Sequence, residues 1–265
     1  MNVLQSLTEL YNSQDQDSIF KELSRRILRN LDQMRRITIY DVAELTNSSR
    51  TTVWRLVQKL GYQSFSDFKF ALQSASSQYV YYNRMMERKS GGDPEALLRE
   101  IQTQMKDSVK VFTEKITGNE LEQWVDQVAE AGRVHFYLPF RSAMVYSFQQ
   151  NLWMGGKDTE YCCLIPEMLE AARSLNESSL VLMSTIEFTE TMDMTEVFQT
   201  IRARGGKIWL MGNAESNYEQ YAERRIMMSD ANPATWLLAF ESFILALSER
   251  YRQKYIDKKP HSSHG

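Results

Sequence analysis

Arg50, Thr51, Thr52 and Arg55 lie within one turn and a half of each other, off the apolar side of a short segment. Ser49 stands just before them, and Lys59 and Lys69 lie beyond. An arginine can fork onto the two acceptors of a guanine, and threonine offers a hydroxyl and a methyl to base edges. Lysine and serine suit the oxygens of a phosphate backbone, which position a protein without reading sequence. Arg50, Thr51, Thr52 and Arg55 are therefore the candidate base contacts. Ser49, Lys59 and Lys69 are the candidate phosphate contacts.

Such groups act together only if the backbone presents them on a rigid helix end, and the local signals for that are present. Thr38 followed three residues later by Asp41 is a capping-box pattern, so a helix is expected to open at Ile39. Ile39, Val42, Ala43 and Leu45 fall on one face of it. At Asn47-Ser48 the pattern breaks, and asparagine tolerates the left-handed backbone that a tight exit needs. Ser49 can cap a second helix from Arg50 to Leu60, stopped by Gly61. Val53, Leu56, Val57 and Leu60 form its buried stripe, with Trp54, Gln58 and Lys59 off it. Two helices around a tight turn make a helix-turn-helix, whose second helix enters the DNA major groove N-terminus first. By spacing alone, an ordinary amphipathic helix pair is the competing reading.

The segment resembles the N-terminal domain of RpiR-family transcriptional regulators. Thr38, Ile39, Val42 and Ala43 match the start of that pattern. Ser49, Thr52, Val53, Arg55, Lys59, Leu60, Gly61, Tyr62, Phe65, Phe68 and Lys69 continue it without a gap. Ser48 departs from it, where the family has an apolar residue, and is expected to loosen the turn slightly. The resemblance implies a double-stranded DNA operator as partner. A homodimer is expected because one recognition helix makes too few base contacts for operator specificity, with a tetramer as the alternative.

Composition agrees without deciding. The 265 residues are 43% hydrophobic and 25% charged, ordinary for a globular protein. No apolar run approaches the ~20 residues of a membrane helix, and no signal pattern opens the chain, so a cytoplasmic location and no membrane partner are expected. The net charge is −3, yet the first 77 residues carry ten basic against eight acidic side chains. A basic head on an acidic body concentrates phosphate attraction on the head. Two adjacent cysteines, Cys162 and Cys163, give neither a disulfide framework nor metal spacing; they read as small apolar strand residues, and no metal or cofactor is expected.

Along the chain, Leu4, Leu7, Leu10 and Tyr11 predict a short helix. A second runs from about Asp17 through Leu31, and a helix capped by Ser66 carries Phe68, Phe70, Ala71 and Leu72. Residues 1–77 thus form an all-helical DNA-binding domain, with a polar and aromatic linker over 78–94. Helices are expected from Pro94 to Phe112 and from Leu121 to Ala131. Then come short apolar runs at Val134–Leu138, Leu180–Met183, Lys207–Met211 and Arg225–Met228, and a closing helix from Thr235 to Tyr255. Apolar runs separated by helical stretches predict buried parallel strands in an α/β sandwich over residues 95–258. A tail over 259–265 is expected to be disordered, its histidines solvated.

This second half resembles the sugar isomerase (SIS) domain that follows the helix-turn-helix in RpiR regulators. The fold class expected is therefore α plus α/β, an all-helical bundle followed by a SIS-like three-layer α/β/α sandwich with a parallel sheet. The first phosphosugar loop of that family corresponds to Leu138-Pro139-Phe140-Arg141-Ser142, in which only the serine survives. The second corresponds to Ser184-Thr185-Ile186-Glu187-Phe188-Thr189, which keeps the first serine and the threonine. The resemblance makes Ser142, Ser184 and Thr189 the candidate effector contacts, with Arg141 beside them. Leu138, Phe140 and Glu187 bring side chains where glycine would let backbone approach a phosphate. At ~4 Å and an effective dielectric near 20, the charge of Glu187 alone would oppose a phosphate by roughly 4 kcal/mol. The serines could equally be plain helix N-caps.

Three functions remain after this reading. The first is a transcriptional regulator of carbohydrate or related metabolism, sensing a phosphosugar or another small metabolite. The second is a ligand-independent regulator whose SIS-like domain only dimerises. The third is a sugar-phosphate isomerase. Isomerisation needs a general base beside the sugar carbons. His135 is the one histidine outside the tail and lies in an apolar strand, where a satisfied core histidine is expected. Glu187 occupies a phosphate-loop position, so no catalytic residue is assigned and turnover is not expected.

Overall fold

The computed structural model describes residues 2–77, 92–185, 193–212, 217–227 and 233–257. The helical unit is built from α1 (Val3–Ser13), α2 (Ile19–Arg29), a 3-10 segment (Leu31–Arg36), α3 (Ile39–Leu45), α4 (Arg50–Lys59) and α5 (Phe65–Ser77). Local chemistry sets most of its boundaries. Asn2 and Gln5 close a capping box on α1. The second expected helix stops at Arg29, and Leu31 belongs to the tighter 3-10 turn that follows. The cap of α5 is Ser64 rather than Ser66. The Ser64 hydroxyl accepts from the Asp67 amide at 3.1 Å and donates to the Asp67 carboxylate at 2.6 Å. Ser66 is already inside the first turn. Val3, Leu7, Leu10, Leu23, Ile27, Val53, Leu56, Val57, Phe68 and Leu72 are all buried and form the core of this unit.

Residues 78–91, most of the expected linker, lie outside the described residues. Its last residue, Pro94, is the first residue of α6 (Pro94–Lys115), which Asp93 caps. There follow α7 (Gly118–Glu130), β1 (Arg133–Tyr137), α8 (Ala143–Met154), β2 (Asp158–Cys162), α9 (Ile165–Ala172), β3 (Ser179–Ser184), α10 (Thr195–Ala203), β4 (Lys207–Gly212), β5 (Arg224–Met227) and α11 (Pro233–Tyr251). A π-helical turn, Arg252–Ile256, extends the last helix. The expected tail, 259–265, is also outside the described residues.

The five strands form one parallel sheet in the order β2-β1-β3-β4-β5. Every residue of β3 is buried, as are the last four of β1 and the last five of β4. That is why these three announce themselves as apolar runs: a strand covered on both faces cannot alternate. The sequence reading missed β2 because Asp158, Thr159, Glu160, Tyr161 and Cys162 alternate as an edge strand, with Asp158 and Glu160 exposed. Cys162 is a buried strand residue and Cys163 follows it, both as free thiols. On one face Trp209 meets Trp124 at 4.8 Å between ring centroids, Trp124 meets Phe243 edge-on at 4.8 Å, and Phe136 meets Phe148 at 5.8 Å. An all-helical N-terminal region followed by an α/β domain with a parallel sheet is thus the architecture of the chain. No described helix is long and apolar enough to cross a membrane.

Candidate functional site

The helix pair closes as its local signals require. The Thr38 hydroxyl accepts from the Asp41 amide at 3.3 Å, and the Asp41 carboxylate accepts from the Thr38 amide at 2.6 Å. The Thr38 amide, and after it the Thr38 hydroxyl, donate to that carboxylate and hold it below its usual range. At the other end of α3, Asn47 takes φ +49°. The Asn47 amide donates to the Glu44 carbonyl and the Ser48 amide to the Ala43 carbonyl, satisfying the last orphan acceptors of the helix. Ser48 does not sit in the turn unsatisfied: its hydroxyl pairs with that of Thr46 at 2.9 Å, and Thr46 also bonds the Val42 carbonyl at 2.6 Å. The same closure ends α4, where Gly61 has φ +93° and the Gly61 and Tyr62 amides reach the carbonyls of Gln58 and Val57.

Capped by Ser49, α4 buries Val53, Leu56 and Val57. It leaves Arg50, Thr51, Arg55 and Lys59 exposed and Thr52 half-buried. Two of the candidate residues are partly committed to the cap. The Ser49 hydroxyl accepts from the Thr52 amide at 3.1 Å and pairs with the Thr52 hydroxyl at 2.8 Å. Arg50 is held by Tyr40, a residue the sequence reading passed over. Its guanidinium donates to the Tyr40 phenol at 2.9 Å and lies 4.7 Å over the ring. Tyr40 is 61% exposed. An aromatic in the first turn of α3, facing water, was the one available signal. Lys59 rests 5.8 Å from the Phe20 ring centroid, and Lys69, on α5, contributes to the field on Asp41.

Not every basic side chain of this unit is equally free for phosphate. Glu22 lies 2.6 Å from both Arg25 and Arg26, which bring its carboxyl down to about 2 through hydrogen bonds, Arg25 first.

In the α/β domain the candidate effector residues part company. Ser142 is buried and caps α8, its hydroxyl accepting from the Val145 amide at 3.1 Å and donating to the Glu241 carboxylate at 2.8 Å. One hydroxyl proton is thus spent on a carboxylate from α11, and that carboxylate stands at a helix N-terminus where an anion is stabilised. Arg141 is exposed, with its guanidinium 4.8 Å over Tyr161 and 6.0 Å from Tyr146, and it donates to the Tyr161 carbonyl at 3.4 Å. Ser184 is fully buried at the end of β3. Arg141 therefore rests against the edge strand β2, while Ser184 lies across β1 from it. Thr189 and Glu187 fall outside the described residues. Glu241 was invisible to the sequence reading because it lies 99 residues from its partner.

His135 is buried, 3% exposed, but it is not the satisfied core histidine expected: among the described residues its Nδ1 has no hydrogen-bond partner. The carboxylate of Glu160, on the neighbouring strand and half in water, is 3.7 Å away, too far for a hydrogen bond. Burial dominates and brings the imidazole down to about 4, so it is neutral near pH 7. Among the described residues no cluster of His, Cys, Asp and Glu has the arrangement of a metal site.

Residues 1–79 match the family described as the helix-turn-helix domain, rpiR family. No curated protein matches the chain. Among solved structures, the chain is similar to the Vibrio vulnificus NanR protein complexed with ManNAc-6P, at 18% identity and a TM-score of 0.49, over 96% of this chain and 92% of that one. It is also similar to the sugar isomerase domain of an RpiR transcription factor from Sphaerobacter thermophilus, at 13% identity and a TM-score of 0.48, over 60% of this chain and 91% of that one. A putative sugar-phosphate isomerase from Listeria monocytogenes matches at 11% identity and a TM-score of 0.42, over 60% and 88%.

Proposed function

We propose that this chain, whose N-terminal segment matches the rpiR-family helix-turn-helix, is a transcriptional regulator of carbohydrate or related metabolism that binds its operator as a homodimer. The observation that carries the reading is the tip of α4. Arg50, Thr51 and Arg55 are exposed at the N-terminal end of a helix locked to α3 by a satisfied turn. That is how a recognition helix presents side chains to base edges. In this reading Arg50, Thr51, Thr52 and Arg55 contact bases, and Ser49, Lys59 and Lys69 contact phosphates. The domain beginning near residue 95 senses a small metabolite and supplies the two-fold pairing. The effector would act by favouring one arrangement of the two DNA-binding heads, to the extent of its differential affinity for the arrangements.

The Ser142–Glu241 bond supports a second reading, in which the domain serves only as a dimerisation platform. It sets a fixed negative charge where a phosphosugar loop would hold phosphate, and so favours a less anionic effector or none. Two measurements on the full-length protein separate the readings. Selection from a random duplex library, followed by anisotropy titration, should enrich a pseudo-palindrome; no enrichment over non-specific duplex would overturn the regulator reading. Thermal shifts against hexose, pentose and amino-sugar phosphates and their unphosphorylated counterparts test sensing. An effector at a hundred times its Kd stabilises the fold by roughly 2.7 kcal/mol. A shift that also changes operator affinity supports sensing, and a shift requiring the phosphate would count against the charge argument. Silence across the panel favours the platform. Incubation of the same phosphosugars with the protein tests turnover, which this reading does not expect.

A further inference from the structure

Between the N-terminal half of α7 and the edge strand β5 runs a groove that encloses about 410 Å³, within the range of small-metabolite sites. Its apolar wall is Ile116, Trp124 and Ile226, and Trp124 is fixed from behind by Trp209 and Phe243. Against that wall stands Arg224, half-buried, with its guanidinium 5.6 Å over the Trp124 ring. Its Nε donates to the side-chain oxygen of Gln127 at 2.8 Å and its Nη2 to that of Gln123 at 3.4 Å. Both acceptors are neutral. The other charged groups of the groove are already engaged. Arg225 pairs with Glu219 at 3.1 Å and Glu223 with Arg202 at 3.5 Å. The Glu120 carboxylate accepts from the Thr117 amide and hydroxyl, each at 2.8 Å. Among the described residues, Arg224 alone of this group has only neutral acceptors.

A guanidinium ordered by neutral acceptors keeps its charge for a ligand and loses little freedom when one binds. Two of its five N–H donors are used, which leaves Nη1 and one proton of Nη2, an end-on fork that fits a carboxylate. The strand edge supplies a further donor. The Glu223 amide bonds the Ile208 carbonyl on β4 at 2.9 Å, so the alternation of the ladder turns the Arg224 and Ile226 amides to the open side of β5. Glu120 and Glu223 line the same groove and oppose a phosphate dianion more than a carboxylate. We propose that this groove binds a small monocarboxylate with an aromatic or branched aliphatic body. Its carboxylate meets Arg224 and the Ile226 amide, and its body lies against Trp124, Ile116 and Ile226. The site is separate from the phosphosugar loops. Ser142 and Ser184 stand at the C-terminal ends of β1 and β3, whereas Glu223 and Arg224 stand where β5 begins, on the opposite rim of a parallel sheet. It does not depend on the regulator reading.

The test titrates the full chain by calorimetry with benzoate, phenylacetate and isovalerate, and with benzamide and inorganic phosphate as controls. Saturable binding of at least one acid is expected, and none of benzamide. Arg224→Gln should weaken that binding about tenfold to a hundredfold, the worth of charge-assisted hydrogen bonds. Glu120→Gln keeps a side chain that can serve the capping box and removes one opposing charge. It should tighten binding roughly threefold. Damage to the fold cannot produce that gain. Arg225→Gln, at a guanidinium already paired with Glu219, should change the affinity little. No saturable binding by any of the three acids, or a Kd that Arg224→Gln does not move, would overturn the site. Phosphate binding as tightly as the acids would overturn the ligand class. Weakening by Glu120→Gln as well as by Arg224→Gln would show that both residues only hold α7 in place, and the site would fall. Phosphosugar response is scored separately. A response that survives Arg224→Gln belongs to the loops after β1 and β3, so either reading can fail and leave the other standing.

Discussion

The guanidinium of Arg50 donates to the phenol of Tyr40 at 2.9 Å while lying 4.7 Å over its ring, so the first residue of α4 is tied to the first turn of α3. The stack orders a long side chain at the point where a recognition helix meets base edges. Ordering before binding lowers the entropy lost on binding. Replacing Tyr40 with Ala should therefore weaken binding to the selected operator by about 0.5–2 kcal/mol, the range of a cation–π contact plus a lost hydrogen bond. Non-specific duplex should be far less affected. Equal weakening on both DNAs in an anisotropy titration would show that Tyr40 serves only the fold.

Arg55 and Lys69 are expected to fail differently. Arg55→Ala should cost about 1–3 kcal/mol on the operator and relax preference at one position of the site. Lys69→Ala should weaken all duplexes alike and reduce the slope of log affinity against log salt by about 1. Unchanged discrimination in the first variant, or an unchanged salt slope in the second, would reassign that residue.

Ser142 joins two jobs in one hydroxyl, capping α8 and binding Glu241. Ser142→Ala should destabilise the chain by about 1–3 kcal/mol in urea unfolding, with or without any effector. Because the two groups act as one unit, Ser142→Ala with Glu241→Ala should cost less than the two single costs added together. Stability unchanged by Ser142→Ala would free the hydroxyl for a ligand after all.

His135 sets a pH dependence. Its folded-state value of about 4 lies below that of an unfolded histidine, near 6.5. Between those values the unfolded chain takes up a proton that the native chain refuses. Stability is therefore full above about pH 6.5 and falls as pH drops towards 4, by up to about 3 kcal/mol at roughly 1.4 kcal/mol per unit. In His135→Val that component of the slope should vanish. A slope identical to wild type over this window would mean that the buried imidazole is not what titrates.

The helical unit was legible because its determinants are local. Thr38 and Asp41, Ser49 and Thr52, Asn47 and Gly61 act across three to five residues, so type and spacing were enough to place the caps and turns. The cores of β1, β3 and β4 were legible for a related reason: strands buried on both faces must be apolar throughout. Edge position hid β2, since Asp158 and Glu160 meet water and break the run. What the chain alone could not supply was which distant groups meet. The tertiary fold gave the Ser142 hydroxyl to Glu241, laid Arg141 on Tyr161, left the Nδ1 of His135 without a hydrogen-bond partner among the described residues, and set α6 with Leu98 and Met105 facing out. Each of these depends on how separate elements dock, and docking is decided by the burial of whole faces, which no short window of sequence contains.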